Sequence, residues 1–133
     1  MKHQNLKKTL ALDWGIKITG AAVGEGSFPV QTLPAIDSTT RQKLLEKVDS
    51  LCLKYRVETI LLGLPTHFQN AQKVKKIKAL LEEKGYKVAL WEETLTSKQA
   101  HHQLQQSAHS KKSIERDIHS TAAALMLEEY LGT

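Results

Sequence analysis

Thr9-Leu10-Ala11-Leu12-Asp13-Trp14-Gly15 is the stretch on which the fold turns. Its apolar run is short and ends on a carboxylate, so it reads as a buried strand with Asp13 at its tip. Outward from it, Lys17 to Val23 is small and partly apolar, with Gly20 in its middle. Gly24-Glu25-Gly26-Ser27 then supplies a turn signal. Phe28 to Leu33 reads as a third strand, and Pro29 suggests an edge. The first part of the chain is therefore expected to be an antiparallel meander.

The rest of the chain alternates. Thr39 to Tyr55 has Leu44, Leu45, Val48, Leu51 and Cys52 at helical spacing, after N-cap candidates in Asp37-Ser38-Thr39-Thr40. Glu58 to Leu64 carries Ile60-Leu61-Leu62, the continuous apolar run of a buried parallel strand. Asn70 to Lys84 reads as a helix with Val74, Ile77, Leu80 and Leu81 on one face and Gly85 at its C-terminal cap. Tyr86 to Trp91 is another strand, and Thr96 to Gln106 another helix. After a polar loop from Ser107 to Lys112, Ser113 to Leu131 forms the last helix, its stripe built from Ile114, Ile118, Ala122 and Leu125. The fold class is thus α/β, with a mixed five-stranded sheet flanked by helices. In such sheets ligands gather beyond the carboxyl ends of the parallel strands.

The chain has 133 residues, 41% of them hydrophobic, which suits one domain over residues 1–133 with an adequate core. No apolar run approaches the roughly 18 residues of a membrane span. Met1 to Lys8 has no apolar stretch of signal-peptide length behind it. The single cysteine, Cys52, excludes an internal disulfide framework, and no CxxC is present for a zinc cluster. A soluble cytoplasmic protein is the expectation. The net charge of +5 favours anionic partners, nucleic acid first.

Two strand tips carry acid. Asp13 ends the first strand, and Glu92 and Glu93 end the last. A carboxylate at the tip of a buried strand costs desolvation unless it has a partner. Two such tips repel unless a cation lies between them, and Mg²⁺ or Mn²⁺ suits oxygen ligands. The alternative is that both are caps or edge residues without further role.

These residues carry a resemblance. Asp13-Trp14-Gly15-Ile16-Lys17-Ile18-Thr19-Gly20 resembles the opening D-x-G-x-K-x-x-G motif of the YqgF/RuvX family. Gly63-Leu64-Pro65 resembles its G-L-P loop, and Trp91-Glu92-Glu93-Thr94-Leu95-Thr96-Ser97 its D-E-R-L-T segment. Ala122-Ala123 with Leu127-Glu128-Glu129-Tyr130-Leu131 resembles its C-terminal pattern. The motifs stand in order over nearly the whole chain. The resemblance implies an RNase H-like fold related to Holliday-junction resolvases. It also implies a metal-dependent nuclease that processes the 5′ end of precursor 16S ribosomal RNA. Branched DNA is the alternative substrate, and a homodimer is compatible with the resemblance.

By position, the resemblance implies Asp13 and Glu93 as metal-binding carboxylates, with Glu92 at the preceding Asp position. The family's third carboxylate falls in register on His119. Asp117 is not a simple substitute, because residues two apart on a helix diverge by about 200°. Imidazole is an acceptable ligand, better for Mn²⁺ than for Mg²⁺, and Glu115 lies one turn before it. Ile18 and Thr94 stand where the family has Arg residues that suit phosphate contacts.

Lys17 is the residue expected to neutralise phosphate. Lys98, Lys111, Lys112 and Arg116 are the nucleic-acid-binding candidates, since they follow Glu93 or surround the loop before the last helix. His67 is either a substrate contact or polar surface. His101 and His102 diverge by about 100° on a helix and read as a solvated face, as do Lys73, Lys75, Lys76 and Lys78. Trp14, Trp91 and Cys52 are expected in the core. Two further readings stand beside the nuclease. One is a non-catalytic RNA-binding or ribosome-assembly module, motivated by His119, Ile18 and Thr94. The other is a nucleotide-binding module, since Asp13-Trp14-Gly15 resembles a phosphate motif of actin-like ATPases. The short chain argues against the latter.

Overall fold

The computed structural model describes residues 8–26, 29–92 and 111–132, with the backbone alone for 111–118. Five strands form one sheet: β1 (Thr9–Asp13), β2 (Ile18–Gly24), β3 (Gln31–Asp37), β4 (Thr59–Leu64) and β5 (Lys87–Glu92). Their spatial order is β3-β2-β1-β4-β5. β1 pairs antiparallel with β2, β2 antiparallel with β3, and β4 runs parallel to both β1 and β5. The meander and the parallel half both agree with the sequence reading.

Alternation along the central strands sorts their side chains onto two faces. Leu10, Leu12, Ala21, Val23, Ile60 and Leu62 pack on one side with α1 (Arg41–Tyr55) and α2 (Phe68–Glu83). Ala11, Ala22 and Leu61 pack on the other with Ala123, Met126 and Leu127 of α3 (Lys111–Tyr130). The sheet therefore has a helix layer on each face. Trp14 and Trp91 join these cores, and Cys52 is 5% exposed, as expected.

Local chemistry sets the helix ends. Thr40 caps α1 by accepting a hydrogen bond from the Lys43 amide at 3.1 Å. The helix stops at Arg56, which adopts the left-handed conformation at φ 56°. At the end of α2, Gly85 has φ 101°, its amide bonds the Glu82 carbonyl, and the Tyr86 amide reaches back to Leu81. That paired closure is the Schellman arrangement, and it is why a glycine stands there.

Two sequence expectations shift. The third strand, expected over Phe28 to Leu33, runs from Gln31 to Asp37. Pro34 lies inside it, which an edge strand tolerates because one side needs no amide donors. In α3 the buried stripe is Ala122, Ala123, Met126 and Leu127, whereas Leu125 is only half-buried. The helix covers the sheet more broadly than one stripe. The expected helix at 96–106 lies outside the described residues.

Candidate active site at the carboxyl end of the central strands

Asp13 has the parity of Ala11, so its side chain projects onto the α3 face. It is 3% exposed. A buried carboxylate needs a partner, and His119 on α3 provides one. The His119 Nδ1 lies 2.9 Å from Asp13 Oδ2.

The small floor of the sheet makes this approach possible. Asp13 pairs with Gly20, Ala11 with Ala22, and Thr9 with Gly24. A side chain at Gly20 would overlap the backbone carbonyl of His119 and the amide nitrogen of Ser120. Gly20 is therefore the point where the α3 backbone rests on β2. Farther along, Gly24 lies under Leu127 and Leu131. Eight residues of helix advance about 12 Å and four of strand about 13 Å, so the two elements keep step. Ser120 fixes the same register by donating from Oγ to the Leu33 carbonyl at 3.0 Å.

The turn after Asp13 is held as firmly. Ser38 donates from Oγ to the Gly15 carbonyl at 2.7 Å, and its amide donates to the Lys17 carbonyl at 2.9 Å. The Gly15 amide donates to Thr19 Oγ1 at 3.3 Å. A Cβ on Gly15 would come within 3.1 Å of His119 Cε1 and 3.3 Å of its Nε2, so the imidazole lies close against this turn. Next to Ser38, Asp37 accepts from the Thr39 hydroxyl and amide. Those two bonds hold its carboxyl below the usual carboxylate range.

The structure thus brings together two of the residues predicted for the site, Asp13 and His119. Lys17 lies in the same turn and is exposed. Glu93 and Lys98 lie outside the described residues. Lys111, Lys112, Glu115, Arg116 and Asp117 fall on the first turns of α3, where only the backbone is described. Glu92 has the parity of Leu90, which packs with α1 and α2, so it falls on the sheet face opposite Asp13. Ile18 begins β2 opposite Asp37. His67 is the exposed residue preceding α2 and makes no side-chain cap bond. The Lys73, Lys75 and Lys76 face is solvated, and Lys78 pairs with Glu82 at 2.8 Å.

Sequence reasoning missed the supporting residues. The signal at Gly20 is its place inside a strand, where a glycine marks a close backbone approach. Ser38 was one of several cap candidates, and the structure uses it to tie down the turn beside Asp13. Ile16 and Phe68 are also new. They are 60% and 73% exposed, in the segments that follow the adjacent strands β1 and β4, at the Asp13 end of the sheet.

Among the described residues no group of three potential ligands gathers. The chemistry of the pair still fits a divalent ion. Asp13 offers carboxylate oxygen, and His119, hydrogen-bonded through Nδ1, has Nε2 as its other donor.

A family model described as RuvX, Holliday junction resolvase, matches residues 7–133. A protein of Listeria innocua named "Putative pre-16S rRNA nuclease" is 32% identical, over 95% of this chain and 98% of its own length. A protein of Lactococcus lactis with the same name is 31% identical, over 93% of each chain. Among solved structures, Thermus thermophilus RuvC in complex with a Holliday junction substrate superposes with a TM-score of 0.57. That match covers 93% of this chain and 94% of RuvC at 16% identity. The likeness shows the fold alone, which is RNase H-like.

Proposed function

The chain belongs to the RuvX Holliday junction resolvase family, and from that premise we propose that it is a metal-dependent nuclease of ribosome biogenesis. It trims the 5′ end of precursor 16S ribosomal RNA in the cytoplasm, as one domain over residues 1–133. The observation that carries the reading is the buried Asp13 at the strand tip, met by His119 at 2.9 Å.

Asp13, Glu93 and His119 are the proposed ligands of Mg²⁺ or Mn²⁺. When bound, the divalent ion activates water and stabilises charge at the scissile phosphate. The chain supplies the rest. Asp13 contributes carboxylate oxygen from a position fixed by β1 and by the Ser38 bonds to the following turn. His119 orients Asp13 through Nδ1 and presents Nε2. Lys17 neutralises phosphate charge at the exposed turn. Lys98, Lys111, Lys112 and Arg116 bind the nucleic-acid backbone. Ile16 and Phe68 offer apolar surface to unpaired bases.

The second reading is a ribosome-assembly module that binds RNA without cutting it. His119 in the place of the family's third carboxylate favours it. Incubating the purified chain with precursor 16S RNA and with a four-way DNA junction, in Mg²⁺ and in Mn²⁺, separates the readings. Divalent-dependent shortening of the RNA 5′ end supports the nuclease. Cleavage of the junction alone makes the chain a resolvase, and binding without cleavage in either metal makes it an assembly module.

A further inference from the structure

We infer that the outer face of α2 is a second binding surface, which takes an unpaired nucleic-acid strand where it passes beyond the Asp13 end of the sheet. The inference rests on the nuclease reading above and adds to it a surface and the form of nucleic acid that fits it. β1 and β4 run parallel with Leu12 level with Leu62, so the segment after β4 emerges at the Asp13 end. α2 begins there at Phe68 and returns along the sheet to the parallel strand β5. Its buried side is Val74, Ile77 and Leu81. Phe68, Gln72, Lys75 and Lys76 stand at i, i+4, i+7 and i+8, so they share the opposite face, and all four are exposed. Lys73 is exposed at the border of that face.

The charge on this face is arranged against the helix and in favour of an anion. A helix gains from acids in its first turn and bases in its last. α2 has neither, and its acids, Glu82 and Glu83, stand at its carboxyl end instead. No Asp or Glu occurs between Glu58 and Glu82 in the sequence. Lys78 pairs with Glu82 at 2.8 Å, with the lysine on the amino-terminal side, the weaker order for an i, i+4 pair. Lys73, Lys75 and Lys76 pair with no acid among the described residues. A surface built for solubility alone intersperses both signs of charge, and this one does not. Phe68 decides which anion fits. A duplex keeps its bases stacked inside, so it would meet the lysines and leave the ring without a partner. An unpaired strand offers phosphates to the lysines and a base face to Phe68. From Phe68 to Lys76 the helix advances about 12 Å, or roughly three to four nucleotides at 3.4 Å each.

The test measures binding by the full chain in EDTA, where divalent-dependent cleavage does not proceed. The probes are a fluorescein-labelled oligouridylate and an RNA duplex, read by anisotropy over a salt series. The α2 variant combines Lys73→Gln, Lys75→Gln and Lys76→Gln. A charge-matched control on α1 combines Lys43→Gln, Lys47→Gln and Lys54→Gln. All six lysines are exposed, and circular dichroism checks that each variant folds. On the single strand the α2 variant should lose up to about 2 from the slope of log K against log salt, at about 0.7 per phosphate contact. The control should keep the slope of the parent. Phe68→Ala should weaken single-strand binding at least about fivefold and leave duplex binding unchanged. A slope for the α2 variant equal to that of the parent or of the control overturns the inference. Equal weakening of strand and duplex by Phe68→Ala overturns it too, as does a parent that binds no strand in EDTA. Cleavage of precursor 16S RNA by the parent in Mn²⁺, run alongside, separates the two readings. Cutting by the parent, with binding untouched by the α2 changes, overturns the α2 surface and leaves the nuclease reading standing. A parent that neither binds nor cuts overturns both.

Discussion

Gly20→Ala adds one methyl group at the contact between β2 and α3. At Gly20 the new Cβ would overlap the His119 carbonyl and the Ser120 amide nitrogen, which are backbone atoms with no rotamer to give way. Ordinary contact between such atoms needs about 3.5 Å, so the helix must retreat by on the order of 1 Å. A retreat of that size takes His119 Nδ1 from 2.9 Å to beyond hydrogen-bond range of Asp13. Overpacking of this kind costs typically about 1–3 kcal/mol. The upper end lowers the Tm of a domain this size by roughly 10 °C. Gly24→Ala is the control. Its Cβ would meet Val30 at 3.1 Å and Leu127 and Leu131 at 3.5 Å, all at side-chain ends that can shift. Thermal unfolding of both variants, with Mn²⁺ titrated into each, reads the difference. Gly20→Ala should melt well below the parent and lose metal affinity, while Gly24→Ala stays close to the parent in both. Equal melting of Gly20→Ala and the parent, with metal binding intact, would refute the claim that Gly20 sets the position of His119.

Burial pushes the Cys52 thiol up to about 11 and raises the Tyr86 hydroxyl, whose bond to Asp49 at 2.9 Å adds to the shift. Each acid is held neutral in the folded chain, so it stabilises below its unfolded pKa and loses that contribution as pH climbs. For Cys52 the window runs from 9.0, the ordinary thiol value, to about 11 in the folded chain. Denaturant melts should lose at most about 1.4 kcal/mol per pH unit there for this one proton. Cys52→Ala should flatten part of that slope, and identical slopes would contradict the assignment. Nucleic-acid binding should weaken with salt, with a slope of about −0.7 per phosphate contact on single strands. Reversing the charge of Lys98, Lys111, Lys112 or Arg116 should reduce that slope, and fluorescence anisotropy across a salt series would show it. Phe68→Ala should weaken single-strand binding by about 1–3 kcal/mol without lowering Tm, since Phe68 is 73% exposed. An unchanged Kd would remove Phe68 from the interface.

The central strands were legible because their pattern is local. Leu10-Ala11-Leu12 and Ile60-Leu61-Leu62 are buried on both faces and admit little else. The edge was harder to read. A proline ends most strands, and nothing in the sequence says that β3 has a free side where Pro34 is tolerated. Asp13 was legible as a charge at a strand tip. Its partner was not legible from spacing, since His119 is 106 positions away. Family register supplied it. Gly20 could be read as a close approach, but what approaches it depends on how α3 docks. That docking is a tertiary fact fixed by the Ala11, Ala22 and Gly20 floor together with the Ser120 bond to Leu33.

Cleavage of precursor 16S RNA by the parent and by Asp13→Asn, side by side in Mg²⁺ and Mn²⁺, tests the account most directly. The substitution keeps the shape of the side chain and removes the charge a cation needs. The account predicts divalent-dependent 5′ trimming by the parent and none by a folded Asp13→Asn. Equal trimming by both proteins would place the chemistry elsewhere and contradict it.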